Sequence, residues 1–172
     1  MASIINATTS NGLLISPDNS GQIQFQLNGV NVPSPSVAPA FSAYQSTAQT
    51  LSSVTVTKIQ FQTKEFDTNN NFDNITNYRF TPTVAGYYYV SGSVSIASSA
   101  TVILVYIYKN GSLFRIVTNS NTSSISTGSG SSLIYMNGST DYLELYAYVV
   151  TGQSLAASPA STYFQAFLAR TA

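Results

Sequence analysis

From Ala40 onward the 172-residue sequence is a succession of short apolar and aromatic runs, separated by Gly, Asn, Ser and Pro at intervals of about ten residues. Alternation with a period of two recurs along these runs. Nowhere does a helical period coincide with capping residues. That rhythm confines the fold to many short strands and almost no helix, the pattern of a sandwich or jelly roll. Strands are expected at 40–46, 55–61, 78–81, 87–95, 102–109, 112–118, 131–136, 141–149 and 162–170.

Two of these runs stand apart. Residues 102–108, VILVYIY, are apolar at every position, which predicts a strand covered on both faces. Residues 142–148 put Leu143, Leu145 and Ala147 on one face, and Tyr142, Tyr146 and Tyr148 with Glu144 on the other. A sandwich core explains one apolar face. A second face rich in tyrosine is favoured at subunit interfaces. Between the strands, Asn110-Gly111 and Asn137-Gly138 read as hairpin turns. The small polar stretch at 118–132, TNSNTSSISTGSGSS, reads as a long flexible loop.

The N-terminal part has its own organisation. Residues 1–32 form a β-element in which Leu13 and Ile15 precede a Ser-Pro-Asp-Asn turn. Ile23, Phe25 and Leu27 then alternate with glutamines, and Asn28-Gly29 turns towards a return strand at Val30 and Val32. So few strands do not stand alone in water. Leu13, Ile15, Ile23, Phe25 and Leu27 are therefore candidate anchor residues onto a partner. Residues 33–39, PSPSVAP, form a semi-rigid linker, and residues 40–172 form the main domain.

Composition excludes several functions. Only 7% of residues are charged, against an average near roughly 25%, and the formal net charge is zero. Such a chain lacks the basic footprint that nucleic acid and anionic membranes require, so neither is an expected partner. Cysteine and histidine are absent, which removes thiolate chemistry, the commonest metal ligand and the commonest general base. Twelve Tyr and nine Phe argue against disorder, and low charge leaves surfaces free to self-associate. The first residues carry no secretory signal, and no run reaches the roughly 20 apolar residues of a membrane span.

Two constellations point weakly towards chemistry. Asp67, Asn69, Asn71 and Asp73 alternate like the start of a calcium loop, but Phe72 and Tyr78 stand where that loop needs Gly and Glu. Asp67 and Asp73 also form the one candidate carboxylate pair for glycoside hydrolysis, while Glu65, Asp141 and Glu144 lack evident partners. Turn-building acids explain the same residues. No enzyme and no cofactor is expected.

The order of several motifs carries a resemblance. Phe41-Ser-Ala43, Ile59-Gln-Phe61, Asn71-Phe-Asp73, Phe80-Thr-Pro82, Gly86-Tyr-Tyr-Tyr89, Lys109-Asn-Gly111, Asp141-Tyr-Leu-Glu-Leu145 and Tyr163-Phe-Gln-Ala-Phe-Leu168 follow one another with fitting spacing. Over residues 41–169 the chain resembles the complement globular-head and tumour necrosis factor-like jelly-roll superfamily. It departs from that pattern at Ala166 and Asn77-Tyr-Arg79, and it has neither a collagen-like stalk nor cysteines. The resemblance implies an all-β, two-sheet antiparallel jelly-roll sandwich of ten strands that forms a homotrimer, with inner-sheet aromatics about the threefold axis. It makes Tyr87, Tyr89, Tyr142, Tyr146, Tyr148, Tyr163, Phe164 and Phe167 the candidate trimer-interface residues.

The N-terminal segment is in turn similar to segments of tailed-bacteriophage structural proteins. Together these likenesses imply a virion protein made in a bacterial cytoplasm. The expected function is a non-enzymatic trimeric capsid decoration or cement protein, held by its N-terminal segment on the major capsid protein or another virion protein. The alternative is the receptor-binding tip of a tail fibre, recognising a host-surface glycan or protein.

Overall fold

A computed structural model describes residues 25–27, 30–32 and 38–172. The chain divides into two compact units, Met1–Ser34 and Pro35–Ala172. In the first, β1 (Phe25–Leu27) pairs antiparallel with β2 (Val30–Val32), with Gln26 opposite Asn31. This is the register that a two-residue Asn-Gly connection predicts. Leu13, Ile15 and Ile23, and most of the 33–39 linker, lie outside the described residues.

The second unit is built from β3 (Ala40–Tyr44), β4 (Thr50–Leu51), β5 (Thr57–Lys58), β6 (Thr63–Asp67), β7 (Phe72–Asp73), β8 (Arg79–Phe80), β9 (Gly86–Lys109), β10 (Ser112–Met136), β11 (Leu143–Val149), β12 (Gln153–Ser154) and β13 (Tyr163–Thr171). Its main ladder runs β6-β3-β13-β9-β11-β8-β7, with β10 also on β9 and β5 also on β11; β4 and β12 pair separately. All of these pairings are antiparallel.

Two expectations are corrected here. Sequence reading divides residues 86–109 into two strands, and residues 112–136 into two strands with a flexible loop between them. Both segments are single strands of 24 and 25 residues that pair along most of their length. The reason is local. Residues 96–101, IASSAT, contain neither Gly nor Pro, and residues 118–127 are Ser, Thr, Asn and Ile without a breaker. Ladder hydrogen bonds need only backbone, and small side chains let the paired ribbon bend. Register breaks at 113/115, 116/118, 121/125 and 125/127 absorb the bending.

The ribbon therefore belongs to two sheets. Residues 86–93 of β9 pair with β13, whereas residues 103–109 pair with β11. The first sheet is β6-β3-β13 with the early half of β9 and the late half of β10. The second is the late half of β9 and the early half of β10, with β11, β5, β8 and β7. The Asn110-Gly111 tip has φ of 54° and 76°, the conformation that Asn-Gly favours in a two-residue hairpin. Asn137-Gly138 differs from its expected hairpin role. It carries the chain from the end of β10 in the first sheet to β11 in the second, and β10 and β11 do not pair.

The core lies between the sheets and is aromatic at one end. Phe41 of β3 stacks on Phe72 and Phe80 of the opposite sheet, with ring centres 4.6 and 4.5 Å away. Phe164 meets Phe41 edge-on at 5.2 Å, and Tyr88 meets Phe80 likewise at 5.5 Å. The buried Tyr88 hydroxyl donates to the Val84 carbonyl at 2.8 Å, so the hydroxyl goes inside satisfied. Val94, Ile103, Val105, Leu145, Ala147 and Val149 fill the rest. Residues 102–108 accordingly bury Ile103, Val105 and Ile107 fully. Val102, Leu104, Tyr106 and Tyr108 stay half-buried on the outer face, a weaker covering than the run of apolar residues predicts.

Candidate assembly surface

On the outward face of the first sheet, register places side chains in rows across the strands. Tyr135 of β10 stands beside Tyr87 of β9; Leu133, Tyr89, Phe167 and Ala40 form the next row. Tyr87 and Tyr135 have ring centres 5.5 Å apart, as do Tyr89 and Phe167. The following rows change character: Ser131, Ser91, Gln165 and Ser42, then Ser129, Ser93 and Tyr163. Here Gln165 donates to the Ser91 hydroxyl at 3.0 Å, and Ser42 donates to Glu65 at 2.6 Å. The face is thus aromatic at one end and hydroxyl-rich at the other.

That aromatic end is exposed. Twelve large apolar side chains are exposed among the described residues, and six lie on this face: Phe66, Tyr87, Tyr89, Leu133, Tyr135 and Phe167. Three more, Leu113, Phe114 and Ile116, lie on the early half of β10, the edge strand of the second sheet. Register sets Leu113 beside Tyr108 and Ile116 beside Tyr106, so these two face outward from the second sheet, away from the aromatic rows of the first. A β-carbon at Gly130 would strike the Val117 backbone, and Lys109 donates to the Tyr135 carbonyl at 2.7 Å, so the two halves of β10 lie against each other. Gathering six of the twelve exposed apolar side chains on the outward face of one sheet is the mark of a contact surface.

Four of the described acidic residues are structural. Asp67 accepts from the Asn71 and Phe72 amides at 2.9 and 3.0 Å and from Lys64 at 3.1 Å. Asp73 accepts from the Thr76, Ile75 and Asn77 amides, and these bonds hold its carboxyl down at about 2. Each closes its own loop, so the two do not act as a pair. Burial raises the Asp141 carboxyl, but hydrogen bonds from Asn110 and Lys109 outweigh it and leave the group below the usual range. Glu144 pairs with Lys58 at 2.7 Å. Among the described residues, no cluster of three or more Asp and Glu gathers to hold a metal.

Comparison with known proteins bears on the fold. No protein-family model matches the sequence, and no curated protein does either. Solved structures do match. Murine APRIL at pH 5.0 aligns with a TM-score of 0.59 over 76% of this chain and 98% of its own, at 9% identity. Eiger TNF from S. frugiperda aligns at 0.54 over 79% and 94%, with 12% identity. The fold is a tumour necrosis factor-like jelly roll.

Within this tumour necrosis factor-like sandwich the candidate interface residues separate. Tyr87, Tyr89 and Phe167 share the exposed aromatic rows, and Tyr163 lies half-buried at the hydroxyl-rich end. Phe164 is a correction: it is fully buried among Phe41, Phe61 and Phe72, because β13 alternates and its even positions point inward. Tyr142, Tyr146 and Tyr148 belong to the second sheet and its approach, on the outward side. There Tyr146 stacks on Tyr108 at 4.0 Å, and the Arg79 guanidinium covers Tyr142 at 4.4 Å. They cannot lie in one flat patch with Tyr87. Sequence reading missed Leu133, Tyr135, Phe66 and the Leu113-Phe114-Ile116 rim. The signal was present in LFRIV, which carries more apolar side chains than one buried face can take.

Proposed function

We propose that this chain is a non-enzymatic structural protein that acts as a homotrimer through the aromatic face of its first sheet. The observation that carries the reading is the concentration of exposed apolar side chains on that face, on a domain with very few charges. Leaving such a patch in water forfeits roughly 25 cal/mol per Å² of apolar area that contact would bury. The structural use of Asp67, Asp73, Asp141 and Glu144, and the lack of His and Cys, support a non-catalytic role.

In its finer form the proposal is a tailed-phage virion protein that decorates the head. The N-terminal unit docks on the major capsid protein or another virion protein, and three anchors per trimer supply avidity, so each can be weak. The likeness of residues 3–29 to phage structural segments and the Pro-rich linker support it. The test is deletion of residues 1–32 followed by sedimentation and particle binding. The expected result is a soluble trimer that no longer decorates particles; a truncated trimer that still decorates them sinks the anchoring idea.

A second reading, the receptor-binding tip of a tail fibre, is favoured by the tyrosine cluster around Tyr108 and Tyr146, which the proposed interface leaves outward. Binding to a glycan array by residues 38–172, lost in Tyr108→Ala, would support it.

A further inference from the structure

Within the homotrimer reading, on which this inference rests, we propose that each protomer seats its Phe114 in a dimple beside Phe66 of the next protomer, where Arg115 meets Glu65. The dimple has a volume of about 140 Å³ and is walled by Phe66, Tyr89 and Phe167 over Ala40 and Ala166. It exists because Ala40 stands across from Phe167 in the row, leaving a gap between two aromatic walls. An apolar cavity of about this size takes one benzene ring. Among the exposed apolar side chains of the β10 rim, Phe114 is the aromatic one.

Symmetry and charge point the same way. A closed three-membered ring joins two different patches, one on each side of the protomer. The dimple at the β6 end of the first sheet and the rim of β10 are two such patches. The ion pairs among the described residues are Lys58–Glu144, Lys64–Asp67 and Lys109–Asp141, and Asp73 is saturated by amides. Glu65 is then the described carboxylate left holding only a serine hydroxyl. Among the described residues Arg115 has its neighbouring ring, 5.5 Å from the guanidinium, and no carboxylate. The spare acid sits next to the dimple wall in Glu65-Phe66, and a spare base sits next to the knob in Phe114-Arg115. The two dipeptides complement each other in both shape and charge.

The test is sedimentation equilibrium of the full chain, Glu65→Arg, Arg115→Glu and the double swap, with circular dichroism as a check on folding. Each single swap places like charges together and is expected to raise the trimer dissociation constant by about tenfold or more. The double swap is expected to restore it. Ala40→Leu, which fills the dimple without touching charge, is expected to weaken the trimer to a similar degree. A wild-type trimer indifferent to both single swaps and to Ala40→Leu overturns this contact while leaving the homotrimer standing. A wild-type monomer overturns both.

Discussion

Gly92 of the first sheet lies directly against Leu145 of the second: a β-carbon at Gly92 would sit 2.8 Å from both Leu145 methyl carbons. The absence of a side chain at Gly92 lets Leu145 fill the space between the sheets. Gly92→Ala should displace Leu145 and cost about 1–3 kcal/mol in urea unfolding, and Gly92→Val more. Combining Gly92→Ala with Leu145→Ala should cost less than the two single changes added together, because each relieves the other.

Phe41 is the centre of the aromatic end of the core, touching Phe72, Phe80 and Phe164. Phe41→Ala should cost about 3–5 kcal/mol, whereas Phe167→Ala, at an exposed ring, should barely change the stability of the isolated domain. Phe167→Asp should instead shift the sedimentation of the chain towards monomer with an unchanged circular dichroism spectrum. Loss of folding on Phe167→Asp would contradict its exposed position.

The Lys58–Glu144 pair is unequal, with the lysine side chain one-third exposed and the glutamate almost buried. Removing the lysine alone strands the carboxylate. Lys58→Met should therefore destabilise by about 1–3 kcal/mol, and adding Glu144→Leu should recover part of that loss. Additive effects in thermal unfolding would show that the pair is not coupled.

Asp73 has a carboxyl lowered from 3.8 to about 2 by the amides it caps. Its folded value lies below its unfolded one, so its contribution is present above pH 4 and disappears as pH falls through about 2. Asp73→Asn should be less stable than wild type at neutral pH, and the two curves should converge in acid. Parallel curves down to pH 2 would remove this role.

At the alkaline end the sign reverses. Burial, then the Glu144 charge, push the Tyr146 hydroxyl up to about 12, and burial raises Tyr88 and Tyr106 as well. Their contribution is complete below pH 10 and is lost as pH rises through about 12. Ultraviolet titration should show a late-ionising group of tyrosines, diminished in Tyr146→Phe. Ionisation of every tyrosine in one step near pH 10 would contradict the packing.

Much of this fold was legible because alternation in a half-buried strand is a direct image of its two faces. Leu143, Leu145 and Ala147 share one face by sequence, and that face is buried in the structure. The Asn110-Gly111 tip was legible for a similar reason, since few other pairs accept two positive φ values. What escaped was long-range. Nothing in the text of residues 118–132 says that residues 90–105 lie opposite and pair with it. The assembly surface was only half legible, because adjacency of Tyr89 to Leu133 and of Tyr87 to Tyr135 depends on strand register rather than sequence order. Tyrosines on the second sheet look identical in sequence to those on the first.

The register breaks along β10 have a further consequence. A regular 25-residue strand with an open side would invite another chain to lie down beside it and then another, the beginning of a fibre. With four interruptions between Leu113 and Thr127, no incoming strand could stay in step along that stretch for more than a few residues. Growth by strand addition is thus disfavoured along residues 113–127, and there the flank is open to side-chain contacts, which can close a ring and stop.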